Sequence, residues 1–335
     1  MIKKTKQKLL CIGLAAMTTA VVLSGCGNSD ATNGAVGKKS AKVGIVQLVE
    51  HNALDAANKG FVDGLASKGY KEGENISFDR QNAQADQSNL QNIAQRFVND
   101  KVDLICAIAT PAAQTVANLT KDIPITATAV TDYEQAKLVA SNAEPKGNVT
   151  GTTDMNPIKE QIDLLLKLVP NAKTIGTVYS SSEVNSQTQV NIMKAYAESK
   201  GLTVIESTVS TVNDIQQATQ SLVGKVDAIY EPTDNVIASA MPTLVSITNP
   251  AKIPVICGEP NMVKAGGLAT YGVDYYKLGF QTGEMAADIL SGKSKPATMA
   301  IQSAKEMQIT INESNAQALG ITIPQELLNG ADLVK

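Results

Sequence analysis

Lys101-Val102-Asp103-Leu104-Ile105 comes back later in the chain as Lys225-Val226-Asp227-Ala228-Ile229, and Ile123-Pro124-Ile125 comes back as Ile253-Pro254-Val255. Each copy belongs to a short apolar run, as expected of a strand covered on both faces. Around the first copy, residues 42–47 read as a strand, and 52–68 as a helix on Leu54, Phe61 and Leu65 that stops at Gly69. Residues 75–78 are a second strand, and 88–100 a helix built on Leu90, Ile93, Ala94 and Phe97. A strand at 102–108, a helix at 111–119 and a strand at 123–128 complete the run. The programme restarts with a helix at 157–169, a strand at 174–179, a helix at 186–200 and a strand at 202–205. A further helix at 276–290 and a strand at 308–311 close the chain. Strands alternating with helices imply right-handed βαβ units. The fold class is therefore α/β: two doubly wound parallel-sheet lobes with a ligand cleft between them. Residues 147–151 and 271–274 are the expected passages between lobes.

The N-terminus carries a different signal. Met1 to Lys8 hold four lysines, residues 9–23 are apolar, and Leu23-Ser24-Gly25-Cys26 follows. A basic start, a short apolar stretch and small residues are the parts of a secretory signal, and the stretch is shorter than a membrane span of about 20 residues. The cysteine after Leu-Ser-Gly makes it resemble a bacterial lipoprotein signal. Residues 1–25 are thus a signal peptide and Cys26 is the lipidation site, carrying a palmitate-type membrane anchor. Residues 26–40, rich in Gly, Asn, Ser, Ala and Lys, are a flexible tether. The expected location is the cell membrane, lipid-anchored on the extracellular side.

Without the leader the chain keeps 25 basic and 32 acidic residues, a net charge near −7, which argues against nucleic acid as a partner. Of the four cysteines, Cys106 and Cys257 lie in buried-looking strands of different lobes and read as free thiols, with a disulfide as the alternative. No CxxC or Cys/His cluster suggests a metal, and no cofactor is expected. With His51 the only histidine, a His-based metal site or a Ser-His-Asp hydrolase is disfavoured. No GxGxxG, P-loop or nucleophile-elbow sequence is present, so no enzyme activity is expected.

Open α/β sheets bind ligands beyond the carboxyl ends of their strands. That rule picks Gln47, Thr110-Pro111-Ala112 and Thr131-Asp132 in the first half, and Ser180 to Ser182 with Asn185-Ser186, then Glu231 to Asn235 and Cys257-Gly258-Glu259, in the second. The Thr110 loop, with Pro111 in the first turn of a helix, offers free N–H groups for a carboxylate; Ser181, Asn185 and Ser186 offer a second such site. Thr110, Ser186 and Asp234 serve equally well as plain helix caps. Asp132, Asp154, Asp234 and Asp274 are candidate anions for a ligand ammonium, Asp234 first, and Asn235 adjoins it. Tyr133, Tyr179, Tyr230, Tyr271, Tyr275 and Tyr276 are aromatic candidates near strand ends, with Tyr230 and Tyr271 first. Arg80 either reaches the cleft or makes a surface ion pair.

Several stretches resemble a known family, the ABC-transporter substrate-binding lipoproteins of the tryptophan/tyrosine-binding type. They are Gly44-Ile45-Val46-Gln47, Glu50-His51-Asn52-Ala53-Leu54-Asp55, Asn82-Ala83-Gln84-Ala85-Asp86, Ala109-Thr110-Pro111-Ala112-Ala113-Gln114, Asn148-Val149-Thr150-Gly151, Pro232-Thr233-Asp234-Asn235 and Ala269-Thr270-Tyr271-Gly272-Val273-Asp274-Tyr275. The resemblance runs from about Lys42 to Val334 and departs at Asn52, where proline is expected. It implies a type I periplasmic-binding-protein fold with three crossovers, giving an N-terminal lobe of 41–150 plus 272–301 and a C-terminal lobe of 151–271 plus 302–335. It also implies an ABC importer's solute-binding protein that delivers an aromatic amino acid (tyrosine, phenylalanine or tryptophan) to a membrane permease. A surface adhesin or ligand sensor on the same body is the alternative, and an extracellular enzyme a more remote one.

Overall fold

The computed structural model describes residues 40–335, so the signal peptide, most of the tether and Cys26 lie outside the described residues. The first half runs β1 (Ala41–Gln47), α1 (Asn52–Ser67), β2 (Ile76–Asn82), α2 (Gln87–Asn99), β3 (Leu104–Ile108), α3 (Thr110–Leu119), β4 (Ile125–Val130) and β5 (Val149–Thr153). The second runs α4 (Ile158–Leu168), β6 (Thr174–Ser180), α5 (Val184–Ser199), β7 (Thr203–Val209), α6 (Ile215–Gln220), β8 (Ala228–Glu231), α7 (Asn235–Ser239), α8 (Met241–Thr248), β9 (Val255–Cys257), α9 (Pro260–Lys264) and β10 (Ala269–Val273). After these come α10 (Tyr275–Leu290), β11 (Gln302–Ser303), β12 (Met307–Asn312), α11 (Glu313–Leu319), α12 (Gln325–Leu328) and β13 (Asp332–Val334).

The strands form two sheets, ordered β11-β5-β4-β3-β1-β2 and β13-β12-β10-β9-β8-β6-β7. All the pairings are parallel except β10 with β12. Both sheets thus share one order, in which the chain reverses direction between β1 and β3 and between β6 and β8. Ligands bind α/β sheets at such reversals. The chain crosses from the first sheet to the second after β5, returns to the first with β11, and crosses again to β12. Strands run just past the expected boundaries at 150, 271 and 301, to Thr153, Val273 and Ser303. We read each sheet with its helices as one lobe. Cys106 and Cys257 are both buried and free.

The repeated sequence has a structural reason. Asp103 Oδ2 accepts the backbone N–H of Lys42 at 2.7 Å, while the Asp103 N–H donates to the Lys42 carbonyl at 2.8 Å. Asp227 Oδ2 accepts N–H bonds from Lys173 at 2.7 Å and Thr174 at 2.9 Å, and its own N–H donates to the Thr174 carbonyl at 2.9 Å. Each aspartate therefore locks the register between a central strand and its neighbour. The Pro124 carbonyl accepts from Ile105 N–H and that of Pro254 from Ile229 N–H, both at 2.9 Å.

Helices α1 and α10 lie side by side and parallel, so their N-termini point the same way. A Cβ on Gly60 would sit 2.1 Å from the Tyr276 carbonyl oxygen, and one on Gly64 2.2 Å from that of Phe280. In return, a Cβ on Gly279 would sit 2.0 Å from the Ala57 oxygen, and one on Gly283 2.2 Å from that of Phe61. Two glycine pairs spaced by four residues let the two backbones touch, the geometry that small-residue spacing permits. Thr282 Oγ1 also reaches Thr152 Oγ1 at 2.7 Å, tying α10 to β5. Gly64→Ala should destabilise the fold by about 3 kcal/mol, because backbone rather than a flexible side chain must move. Gly147→Ala, where a Cβ meets nothing within 4 Å, should stay within about 0.5 kcal/mol. Urea unfolding followed by circular dichroism measures both.

Candidate functional site

Helix α1 begins where β1 ends, at the carboxyl edge of the first sheet. Its N-cap, His51, contributes no side-chain capping bond. The first N–H groups of any helix lack an internal partner. No protein acceptor reaches those of Asn52, Ala53 and Leu54 among the described residues. Three other helices at the strand ends differ. Asp234 caps α7 through Ile237 N–H, Glu259 caps α9 through Asn261 and Met262 N–H, and Asp274 caps α10 through Lys277 N–H.

His51, Ala53 and Leu54 form one wall of a narrow space between the carboxyl ends of the two sheets. From the first lobe and the crossings come Ala129, Thr131, Asp154 and Tyr275; from the second come Asn185, Thr233, Asp234 and Asn235, with Ala238, Glu259 and Met262. Thr131 Oγ1 donates to Asp154 Oδ1 at 2.9 Å and the Tyr275 hydroxyl donates to Asp154 Oδ2 at 2.5 Å. Asn185 Nδ2 donates to Glu183 Oε2 and to the Thr233 carbonyl, whereas the buried Asn185 Oδ1 has no partner. Across the cleft, His51 Nε2 donates to Asn235 Oδ1 at 3.3 Å, joining the two lobes. No lysine or arginine lines this space.

Of the residues singled out in the sequence, Thr131, Asp154, Asn185, Thr233, Asp234, Asn235, Glu259 and Tyr275 come together here. The others lie elsewhere. Gln47 is turned onto α1, donating to Asp55 Oδ1 and the Val49 carbonyl and accepting from Asn58. Thr110, Pro111 and Ala112 open α3 but do not line the space, although Thr110 Oγ1 is buried without a partner. Asp132 holds its own turn through the N–H groups of Glu134 and Gln135. Ser181 is exposed and bonds the Val209 carbonyl. Ser186 supports Asp234 at 2.7 Å from behind. Tyr230 is fully buried and donates to Gln161 Oε1 in the core of the second lobe. Tyr271 sits on the outer face beside Leu166 and Ile309. Asp274 lines an outer groove. Arg80 pairs with Glu72 on the surface. Sequence reasoning missed the α1 terminus and Met262, and preferred the wrong tyrosines. The usable signal was His51 itself, a residue without a short capping side chain directly before an amphipathic helix.

Residues 42–335 match the sequence model of the family described as ABC transporter substrate binding protein. The chain belongs to that family. It is 46% identical over 319 residues to the Tyrosine-binding protein of Clostridioides difficile, covering 93% of this chain and 92% of that one. Among solved structures it is similar to an ABC domain in complex with L-Trp from Streptococcus pneumoniae, at TM-score 0.86 and 43% identity over 88% of this chain and all of that one. It is also similar to the ligand-free, open structure of a Clostridium difficile substrate-binding protein with adhesive properties, at TM-score 0.68 and 46% identity over 88% of this chain and 99% of the other. Identity is nearly equal in the two comparisons, so sequence divergence does not explain the gap in TM-score. Among the described residues no helix is long and apolar enough to cross a membrane.

Buried acids dominate the electrostatics. Burial raises Asp154 above the usual carboxylate range, while the Tyr275 and Thr131 hydroxyls pull it back. Burial pushes Glu259 up to about 7, against the N–H groups it caps. Burial and the neighbouring Asp234 push Glu183 up to about 8, opposed by Asn185 and Asn235. Burial lowers His51, which holds the ring neutral. Glu231, behind the site, is raised well above its ordinary value by burial; Oε1 accepts Val178 N–H at 3.0 Å and Oε2 has no partner. Its neutral form fits the fold, so this contribution to stability is full below the unfolded value near 4.5 and is lost as pH rises toward the folded value. Glu231→Gln should therefore flatten the fall in melting temperature between pH 5 and pH 8. Thermal melts across that range check it, and parallel curves for the two proteins would contradict it.

Proposed function

We propose that this protein is the solute receptor of an importer and that it captures an aromatic amino acid, tyrosine or a close analogue, between its lobes. The observation that carries the reading is a cation-free pocket with Asp154 and the unpaired Asn185 Oδ1 on one side and the uncapped α1 N-terminus on the other. A zwitterion fits that polarity. Its ammonium faces Asp154 and Asn185 Oδ1, and its carboxylate faces the free N–H groups of α1 and the positive end of the helix dipole. Asp154 takes the ammonium in preference to Asp234, on which the N–H groups of Ser180 and Ile237 and the Ser186 hydroxyl already converge. Ala238, Met262 and Leu54 supply the apolar wall, and a methionine packs well against an aromatic ring. The tyrosine-binding and L-Trp-bound relatives support the side-chain class.

Binding stabilises the closed form in proportion to the ligand's differential affinity for it. The closed receptor then presents its ligand to a membrane permease, with Cys26 as the lipid anchor that keeps it there. The family's role in transport supports the first step, and the leader sequence supports the second.

Titration calorimetry with L-tyrosine, L-tryptophan and L-phenylalanine tests the ligand: at least one should bind, and binding by none would overturn the reading. Asp154→Asn should weaken that binding by about 100-fold or more, since it leaves a buried ammonium without its counter-charge. Cys26→Ser should move the protein from the membrane fraction to the medium, as read by immunoblot of fractionated cells.

A further inference from the structure

We propose that Glu183 is a positioning residue for ligand recognition: its carboxylate fixes the side-chain amides of Asn185 and Asn235 so that both turn their oxygens to the cleft. This rests on the reading of the pocket given above and extends it to a residue that does not line the pocket.

An asparagine amide has a donor end and an acceptor end, and its neighbours decide which way it lies. Asn185, the second residue of α5, is buried and lines the pocket. Its Nδ2 donates to Glu183 Oε2 at 2.8 Å, to the Thr233 carbonyl at 3.1 Å and to Ser186 Oγ at 3.3 Å. Turned over, the amide would set its oxygen against a carboxylate and a carbonyl. Oδ1 is therefore held on the other side, where it has no protein donor. Asn235, also in the pocket wall, is fixed in the same way. Its Nδ2 donates to Glu183 Oε2 at 2.5 Å, and its Oδ1 accepts from His51 Nε2 of the first lobe at 3.3 Å. One carboxylate oxygen sets both amides.

Glu183 itself is buried behind that wall. The plain alternative is a cap on α7, because Oε1 accepts the backbone N–H groups of Asn235 and Val236, both at 3.2 Å. Capping uses one carboxylate oxygen, however, and the amides use the other. Burial and the neighbouring Asp234 both work against a charge here, and none of the groups that donate to Glu183 is a lysine or arginine. A buried acid without a cation is a poor source of stability. What it supplies is direction for two amides that would otherwise be free to turn a donor toward the cleft.

Glu183→Gln separates the two roles. The glutamine oxygen can still cap α7, but its Nε2 meets the amides of Asn185 and Asn235 as donor against donor. Calorimetry on the mature protein with L-tyrosine and L-tryptophan should show affinity weaker by about 10-fold or more, while the melting temperature stays within about 5 °C of the unaltered protein. Asn185→Ala should weaken binding by a similar factor. Adding Glu183→Gln to it should then cost less than about 3-fold further, because the amide that Glu183 directs is gone. A smaller loss in Glu183→Gln overturns the proposal, as does a double variant in which the two losses multiply, the mark of a purely structural role. If Glu183→Gln does not fold, nitrogen–proton NMR of the unaltered protein decides. The Asn185 and Asn235 side-chain amide protons should exchange slowly with water before ligand is added, and rapid exchange overturns the proposal. An unaltered protein that binds neither amino acid overturns the ligand reading and this proposal together, whereas binding that Glu183→Gln leaves untouched overturns the proposal alone.

Discussion

The close crossing of α1 and α10 is the constraint on which the rest depends. These helices come from distant parts of the chain, one after the first strand and the other after the return from the second sheet. Because they run parallel in backbone contact through Gly60, Gly64, Gly279 and Gly283, their N-termini are carried to the same edge of the first sheet. One terminus brings His51, Ala53 and Leu54 to the cleft, and the other brings Tyr275. A shift of either helix to make room for a single methyl group would displace both. The site is thus positioned by packing that lies more than a helical turn away from it.

What the cleft can hold follows from which polar groups are already spent. Helix N-termini at the carboxyl ends of strands are natural anion sites, but most of those here are closed by acids of the protein itself. Asp234, Glu259 and Asp274 each fill one, whereas α1 opens uncapped beside the pocket. Two of those acids, Asp234 and Glu259, line the enclosed space themselves, with no lysine or arginine beside them.

Much of the fold was legible in the sequence. The apolar runs, the helical periodicities and the paired Lys-Val-Asp and Ile-Pro echoes locate most strands and helices of both sheets, and the echoes prove to be register contacts between neighbouring strands. The short strands β5 and β10 were read as passages between lobes, since Val149–Thr153 and Ala269–Val273 mix glycine and hydroxyl residues with apolar ones. The short helices α6 to α9 escaped because stretches this brief show little periodicity. The site was legible only in part. The strand-end rule names the right loops, yet it cannot say which way a side chain turns: Tyr230 lies on the core side of its sheet and Tyr271 on the outer face. The matched Gly-x-x-x-Gly spacings at 60–64 and 279–283 were visible in the sequence, but their partnership needs the third dimension.

The most direct test is a crystal structure of the complex with L-tyrosine. The account predicts the ligand carboxylate within hydrogen-bond distance of the Ala53 and Leu54 N–H groups and its ammonium on Asp154 and Asn185 Oδ1. A ligand held in the opposite direction, or seated on the α3 terminus at Thr110 with Asp154 uninvolved, would contradict it.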